Sequence, residues 1–361
     1  MFWKMEKENH EKTLTYINEY LLSFFEFAAI SGSKMLKKAE WLSYCTNDGE
    51  WLYDLYEKDT KNGKDMRKSV DDLFHLDKVE REKIYHAILH DMKFYQFHLS
   101  SFKLKSVELK QEYQEILKNF YLYFYNEVLC NGKFRLTGLH EAFGRAEFAE
   151  QFFKGKNKVL EGVCPVCLHT LGKAQKEAQV EHYFGKAAVP CLALHPYNLY
   201  FCCPTCNGTY KGSKSPFYKG NKDVEKIFLP YLDTVCDEVT LEFEHESKQD
   251  IIKMKPRSVK SPYIKEKIAS VDHLFQLQKR WSGQLERYFY TRMQDYEYRE
   301  ITNIGELEKE MQKDLDNEKR KVKSRPEFYI DMQYLKWIKE KQLKAFYSNL
   351  KQTGIEPVIE E

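Results

Sequence analysis

The chain has 361 residues, of which 42% are hydrophobic and 31% are charged, and its formal net charge is only +2. This length and apolar content exclude a disordered or low-complexity chain and predict two or three domains with substantial cores. The near balance of 57 basic and 55 acidic residues excludes a protein that binds nucleic acid over its whole surface. Any contact with nucleic acid is therefore expected to be local.

The beginning of the sequence carries no targeting pattern. It alternates charged residues and lacks the basic and apolar regions of a secretory signal peptide. The most apolar stretch, residues 20–30, contains Glu26 and is shorter than the ~18 residues that a membrane-spanning helix needs. We therefore predict a cytoplasmic protein with no membrane partner.

Residues 1–155 are predicted to form a helical region. Apolar residues between Leu14 and Ala28 recur at spacings of three and four, which is the pattern of a helix with one buried face. The stretches 80–97 and 108–129 are rich in Glu and Lys and contain no Gly or Pro, so they also predict helices. Breaks are expected in three turn-forming segments: 46–49, 59–63 and 131–132.

Residues 221–361 are predicted to contain short strands followed by helices. The segment 239–243 alternates apolar and polar residues, as a strand with one buried face does. Residues 253–267 then carry six basic residues and one acid, which predicts either a phosphate-contacting surface or a solvated linker. Helical patterns close the chain at residues 271–288, 307–322 and 328–350.

The middle segment, residues 156–220, differs in composition from both flanks. Between residues 154 and 219 there are nine lysines, three glutamates and no arginine, which gives a net charge of +6. Two CxxC motifs, separated by 35 residues, supply four cysteines: Cys164, Cys167, Cys203 and Cys206. Each motif places two thiolates on one tight turn, and two such turns form the tetrahedral site of a structural zinc ion. We therefore predict one Zn²⁺ bound by these cysteines, the alternative being unpaired buried thiols.

A second pattern lies between and just after the two motifs. It consists of an acid–histidine pair, two asparagines and two lysines: Glu181, His182, Asn198, Asn207, Lys211 and Lys214. The pattern overlaps the segment that carries the four cysteines. In order and spacing it resembles the zinc-knuckle form of the HNH endonuclease superfamily, which has the ββα-metal fold. Two positions depart from the family pattern. Glu181 stands where Asp is common, and Gly185 stands where many members have Pro.

The resemblance implies a metal-dependent endonuclease that hydrolyses phosphodiester bonds of DNA, with RNA left open. It implies that His182 activates the attacking water, while Glu181 and Asn207 bind a catalytic Mg²⁺ or Mn²⁺ that stabilises the leaving oxygen. Asn198 is expected to brace the loop, and the two lysines of the pattern, Lys211 and Lys214, to contact phosphate. A histidine with an ordinary pKa near 6.5 would make cleavage faster as pH rises and its ring loses a proton.

The predicted fold is mainly α, with a small α+β module that holds the four-cysteine zinc site and is flanked by helical regions. Bacterial nucleases of this kind with long helical extensions resemble restriction or antiphage-defence effectors. The resemblance therefore also implies a protein partner, such as an ATPase, that binds the helical regions. Two alternatives stay open: a non-catalytic zinc module that binds nucleic acid or a partner protein, and an interaction subunit with a vestigial nuclease. Outside the module, His86 and His90 have metal-ligand spacing, but their apolar neighbours favour packing.

Overall fold

The computed structural model describes residues 2–45, 48–58, 66–139, 142–171, 178–246, 249–258 and 262–352. Within these residues the chain is mainly helical, with two small antiparallel sheets of two strands each. The prediction of a mainly α fold with a small α+β module is confirmed at this level. Of the predicted breaks, residues 46–47 and 59–63 lie outside the described residues.

Helices make up most of the described N-terminal region. They are α1 (Asn9–Ile30), α2 (Lys38–Tyr44), α3 (Gly49–Lys58), α4 (Met66–His75), α5 (Lys78–Asp91), α6 (Gln111–Tyr123) and α7 (Arg145–Phe152). Helix α5 begins in a capping box, because the Asp77 side chain accepts the Glu80 N–H while the Glu80 side chain accepts the Asp77 N–H. A π-helix, Phe124–Leu129, continues α6. The chain then turns at Gly132, whose φ is +62°, as the glycine at this position predicted.

The middle segment folds as a β-hairpin followed by a short helix. Strand β1 (Gln179–His182) pairs antiparallel with β2 (Leu199–Cys202). A π-helix, Thr205–Lys211, follows β2 almost directly. Side chains alternate along a strand, so Glu181 and His182 project from opposite faces of β1. The two residues of the predicted acid–histidine pair therefore meet different neighbours.

The described C-terminal region contains a second hairpin and a group of helices. Its elements are α8 (Val235–Glu238), β3 (Val239–Glu246), β4 (Gln249–Pro256), α9 (Ile264–Phe275), α10 (Leu277–Tyr298), α11 (Ile304–Val322), α12 (Tyr329–Trp337) and α13 (Leu343–Gln352). Strand β3 confirms the strand predicted at 239–243. The helix predicted at 271–288 is divided, because Gln276 takes a left-handed conformation with φ 49° that ends α9. Strand β4 packs along α10, where the Ile252 N–H donates to the Ser282 hydroxyl at 2.8 Å.

The three predicted regions share one continuous hydrophobic core. The Phe2 ring, near the start of the chain, lies 4.6 Å from the Trp281 ring of α10, centroid to centroid. The Trp3 N–H donates to the Pro165 carbonyl of the middle segment at 2.9 Å. The buried His10 of α1 packs beside Tyr231 of the C-terminal region. The boundaries at residues 155 and 220 therefore remain predictions about chain organisation, since packing continues across both.

Candidate metal centre and active site

The four cysteines of the two CxxC motifs meet at one point in the structure. Their sulfur atoms all lie within 4.8 Å of one another, and all four residues are buried. The Cys164 and Cys206 sulfurs are 3.9 Å apart, and the Cys167 and Cys203 sulfurs are 3.8 Å apart. Sulfurs placed tetrahedrally at about 2.3 Å from a zinc ion are themselves about 3.8 Å apart. The predicted cluster is therefore present and could hold a metal ion such as zinc.

Two residues of α10 contact this cluster, and neither was among the predicted site residues. The Arg280 guanidinium donates to the Cys206 sulfur at 3.1 Å, and the Trp281 indole N–H donates to the Cys167 carbonyl at 3.0 Å. Four thiolates around Zn²⁺ carry a net negative charge, so a guanidinium beside one sulfur stabilises the charged cluster. Because Arg280 lies 74 residues after Cys206 in the chain, no local motif signals the contact.

The helix after β2 lies along the face of β1 that carries Glu181. The Asn207 amide group donates to the Gln179 side-chain oxygen at 2.9 Å. One helical turn later, the Lys211 ammonium donates to a carboxylate oxygen of Glu181 at 2.6 Å. Lys211 is only 1% exposed and Glu181 is 9% exposed, so this ion pair is internal. The carboxylate predicted to bind Mg²⁺ is neutralised by a lysine in this structure.

The two lysines predicted to contact phosphate both have partners within the protein. Lys211 is buried against Glu181, and the Lys214 ammonium donates to the His273 carbonyl of α9 at 3.1 Å. The expected phosphate contacts therefore differ from the contacts observed. The reason is that tertiary packing brings an acceptor to each ammonium, and the spacing of the lysines along the chain does not encode those acceptors.

His182 lies on the other face of β1, inside the module. It is 4% exposed, and its Nε2 atom lies 3.0 Å from the Ala193 carbonyl oxygen. A carbonyl only accepts hydrogen bonds, so Nε2 carries the proton and Nδ1 keeps a lone pair. Burial, together with a smaller effect from the charge of Lys186, lowers the pKa of His182 from 6.5 to about 3. The ring is therefore neutral at pH 7.

Asn198 connects the two ends of the loop between β1 and β2. The side chain is fully buried, and its oxygen accepts the Phe184 N–H at 2.7 Å. Its amide group donates to the Phe184 carbonyl at 3.1 Å and to the Leu192 carbonyl at 2.8 Å. The bond to Leu192 fixes the backbone next to Ala193, and the Ala193 carbonyl in turn orients the His182 ring.

The N-terminal region contributes a residue that covers His182. The Tyr125 ring, from the π-helix after α6, lies 4.4 Å from the His182 ring, edge to face. The Lys186 ammonium lies 4.3 Å from the centroid of the same tyrosine ring and donates to the Asn126 side-chain oxygen at 3.1 Å. Imidazole and ammonium thus share one aromatic neighbour. Neither Tyr125 nor Lys186 was among the predicted site residues, because Lys186 is one of nine lysines between residues 154 and 219 and Tyr125 lies in another region of the sequence.

His86 and His90 do not form a metal site within the described part of the chain. His90 Nδ1 lies 2.9 Å from the Asp91 carboxylate, and the His90 ring stacks on Phe102 at 4.3 Å. Among the described residues, the cysteine cluster is the one group of three or more suitable side chains close enough to bind a metal ion. His90 therefore has packing and hydrogen-bond partners of its own, while His86 is exposed.

Residues 259–261 of the basic run, among them Lys260, lie outside the described residues, and the rest of the run does not form one continuous charged surface. Lys253 pairs with two glutamates of β3 across the hairpin. The Lys267 ammonium is buried 3.0 Å from the Asp233 carboxylate. Lys265, in contrast, is exposed. Strand pairing and burial therefore remove two of the six basic residues from any phosphate-contacting surface.

No family model, curated protein or solved structure matches this chain. None of the helices in the described ranges is both long enough and apolar enough to cross a bilayer. What the protein does is therefore inferred from the contacts described above.

Replacing Lys211 by Met is expected to destabilise the protein by about 3 kcal/mol, because the substitution leaves the Glu181 carboxylate buried without its partner. Urea unfolding of the zinc-loaded protein near neutral pH measures the loss. Lys214→Met is the matched control, since it removes a single hydrogen bond from a partly exposed lysine and should cost about 1 kcal/mol or less. Adding Glu181→Gln to Lys211→Met should recover most of the loss. Equal destabilisation by the two single variants would contradict an internal ion pair.

Proposed function

We propose that this protein is a metal-dependent endonuclease of the HNH type, which hydrolyses phosphodiester bonds of DNA. One observation carries the proposal: the neutral His182 ring donates from Nε2 to the Ala193 carbonyl, which leaves Nδ1 to accept a proton. This ring lies in a hairpin–helix unit that also carries Glu181, Asn207 and two of the four clustered cysteines. Hydrolysis of a phosphodiester requires a proton acceptor and oxygen ligands for a cation, and this unit carries them on the two faces of β1.

The residues of the chain supply separate parts of this chemistry. His182 Nδ1 takes the proton of the attacking water. Lys186, whose charge already acts on the imidazole, offsets the charge of a phosphate bound beside it. Glu181 and the side-chain oxygen of Asn207 are the oxygen ligands that suit Mg²⁺ or Mn²⁺. Such a cation, when bound, stabilises negative charge on the phosphate and on the leaving oxygen.

Two contacts have to change before substrate and metal bind. Tyr125 covers His182, so a phosphate reaches the ring only after the π-helix Phe124–Leu129 shifts. Lys211 holds the Glu181 carboxylate, so the ammonium has to move aside for a cation. π-Helical segments interrupt regular helical hydrogen bonding and are frequent at functional sites. The arrangement is that expected of a resting form of the enzyme.

The same contacts favour a second candidate function, a non-catalytic zinc module that binds nucleic acid or a partner protein. In that case the Glu181–Lys211 ion pair and the cover of Tyr125 over His182 are permanent packing contacts. The two candidates differ in whether the protein cuts DNA.

A plasmid-cleavage assay separates the two candidates. The zinc-loaded full chain is incubated with supercoiled plasmid, with and without added Mg²⁺ or Mn²⁺. The endonuclease is expected to give nicked or linear plasmid only with the added metal. Plasmid that is bound but stays intact under every condition would favour the non-catalytic module. Plasmid that is neither bound nor cut would contradict the endonuclease, and it would also contradict a module that binds DNA.

The pH dependence of cleavage is expected to differ from that of a solvent-exposed histidine. While Tyr125 covers the ring, burial holds the pKa of His182 at about 3, so the imidazole of the free enzyme is neutral across the neutral range. At subsaturating plasmid the cleavage rate reflects the ionisation of the free enzyme, so it should show no rise centred near pH 6.5, in contrast to the expectation for an ordinary pKa. Initial rates of plasmid nicking between about pH 5.5 and 8 test this, since an exposed base would lose activity below about 6.5. A sigmoidal rise with its midpoint near 6.5 would contradict the buried ring.

A further inference from the structure

A cavity of about 650 Å³ lies where the segment after the module meets the first turns of α9. Its walls carry five lysines: Lys103, Lys219, Lys222, Lys226 and Lys265. Only two carboxylates, Asp223 and Glu266, lie in the same walls, so the cavity has a formal charge of +3. In a protein whose net charge is +2, this is a marked local excess.

The lysines of this basic cavity differ in their partners. Asp223 holds the Lys226 ammonium at 2.6 Å and lies 4.0 Å from that of Lys103. The other three, Lys219, Lys222 and Lys265, are exposed and form no ion pair with any residue in the described ranges. Like charges that line one concavity repel one another, and the same concavity concentrates the field that attracts an anion. Three lysines are therefore available to a negatively charged ligand.

The basic cavity is close to the hairpin–helix unit along the chain. Lys219 follows Lys211 by eight residues, so their Cα atoms are at most about 28 Å apart. The connecting segment is fixed on α9, because the Lys214 ammonium binds the His273 carbonyl at 3.1 Å and the Tyr218 ring stacks on the His273 ring at 4.7 Å. One turn of a DNA duplex is about 34–36 Å long. A duplex bound at the helix that ends at Lys211 can therefore reach the cavity within about one turn.

We propose that the basic cavity binds phosphates of the DNA backbone on one side of the bond to be cut, through Lys219, Lys222 and Lys265. This proposal rests on the proposed function for its choice of ligand. Lys211 and Lys214, which were predicted to contact phosphate, have partners within the protein. The lysines now proposed for this role lie outside the predicted pattern. Contacts of this kind position the duplex and carry no sequence preference.

The test measures the affinity of the zinc-loaded full chain for a fluorescein-labelled duplex of about 30 base pairs, close to three turns of DNA. No Mg²⁺ is added, so that binding is observed without cleavage. The triple variant Lys219→Gln, Lys222→Gln, Lys265→Gln is compared with a charge-matched control on and after α11: Lys309→Gln, Lys321→Gln, Lys323→Gln. The control lysines are also exposed, and both variants lose the same net charge.

The cavity variant is expected to bind the duplex at least about 10-fold more weakly near 0.1 M salt, with its log–log salt slope reduced by about 2.7, or 0.9 for each lost phosphate contact. The control should stay within about 2-fold of the wild type. Equal losses in both variants, or no loss in the cavity variant, would overturn the proposal, as would a wild type that does not bind the duplex. Plasmid cutting by the wild type is measured separately. Its absence would reject the nuclease while leaving the binding result valid.

Discussion

Replacing His182 by Ala is expected to slow plasmid cleavage by about 10²–10⁴-fold, which is the usual contribution of a general base. The substitution removes the Nδ1 lone pair, which can accept a proton because Nε2 donates to the Ala193 carbonyl. It touches neither the cysteine cluster nor the basic cavity, so zinc content and duplex affinity should be unchanged. Cleavage is measured as the initial rate of nicking at saturating Mg²⁺.

His195 provides the matched control for this substitution. It is also buried, its Nε2 also bonds a backbone carbonyl, that of Met92 at 3.1 Å, and burial also lowers its pKa to about 3. His195→Ala should therefore lose similar packing and stability yet cut plasmid at close to the wild-type rate. If both variants lost activity equally, the loss would come from folding, and His182 would have no chemical role.

Metal rescue distinguishes the base from the proposed metal ligands. Glu181→Ala and Asn207→Ala should weaken binding of the cation, so excess Mg²⁺ or added Mn²⁺ should restore part of their activity. The same additions should not restore His182→Ala, which lacks the proton acceptor. Cleavage at the wild-type rate by a folded, zinc-loaded His182→Ala protein would contradict the mechanism and favour the non-catalytic module.

Replacing Cys203 by Ala is expected to abolish tight zinc binding and to unfold the module. Zinc binding to small sites of this kind contributes on the order of 10 kcal/mol, most of which is free energy of folding. The effect should extend further, because Trp281 of α10 packs against both the Cys167 carbonyl and the Phe2 ring. Metal analysis measures the loss of zinc. Tryptophan fluorescence, to which Trp281 contributes, measures the unfolding.

Cys202→Ala is the control for that variant. Cys202 is buried next to Cys203 in the chain but lies outside the four-cysteine cluster. The control protein should retain about one zinc per chain and remain folded. Freshly purified wild-type protein without zinc, or a Cys203→Ala variant that keeps it, would contradict the assignment of the cluster.

Features that depend on short stretches of chain could be predicted from the sequence. Two CxxC spacings were enough to predict the cluster, because each motif brings its thiolates together within one turn. The alternation at 239–243 was enough to predict β3, since side chains of a strand alternate between a buried and a solvated face. The pattern at 271–288 predicted helical structure but not its interruption at Gln276, because that left-handed residue is neither Gly nor Asn and carries no local signal.

The contacts of each charged or aromatic side chain in the candidate site depend instead on tertiary packing. Lys211 was predicted to meet phosphate, but the helix after β2 packs on β1 and places its ammonium against Glu181. Tyr125 reaches His182 from a helix in another region, and Arg280 reaches Cys206 from 74 residues away. A long side chain binds whichever group the fold brings within a few ångströms of its end. That distance depends on how whole elements pack, which residue spacing along the chain does not encode.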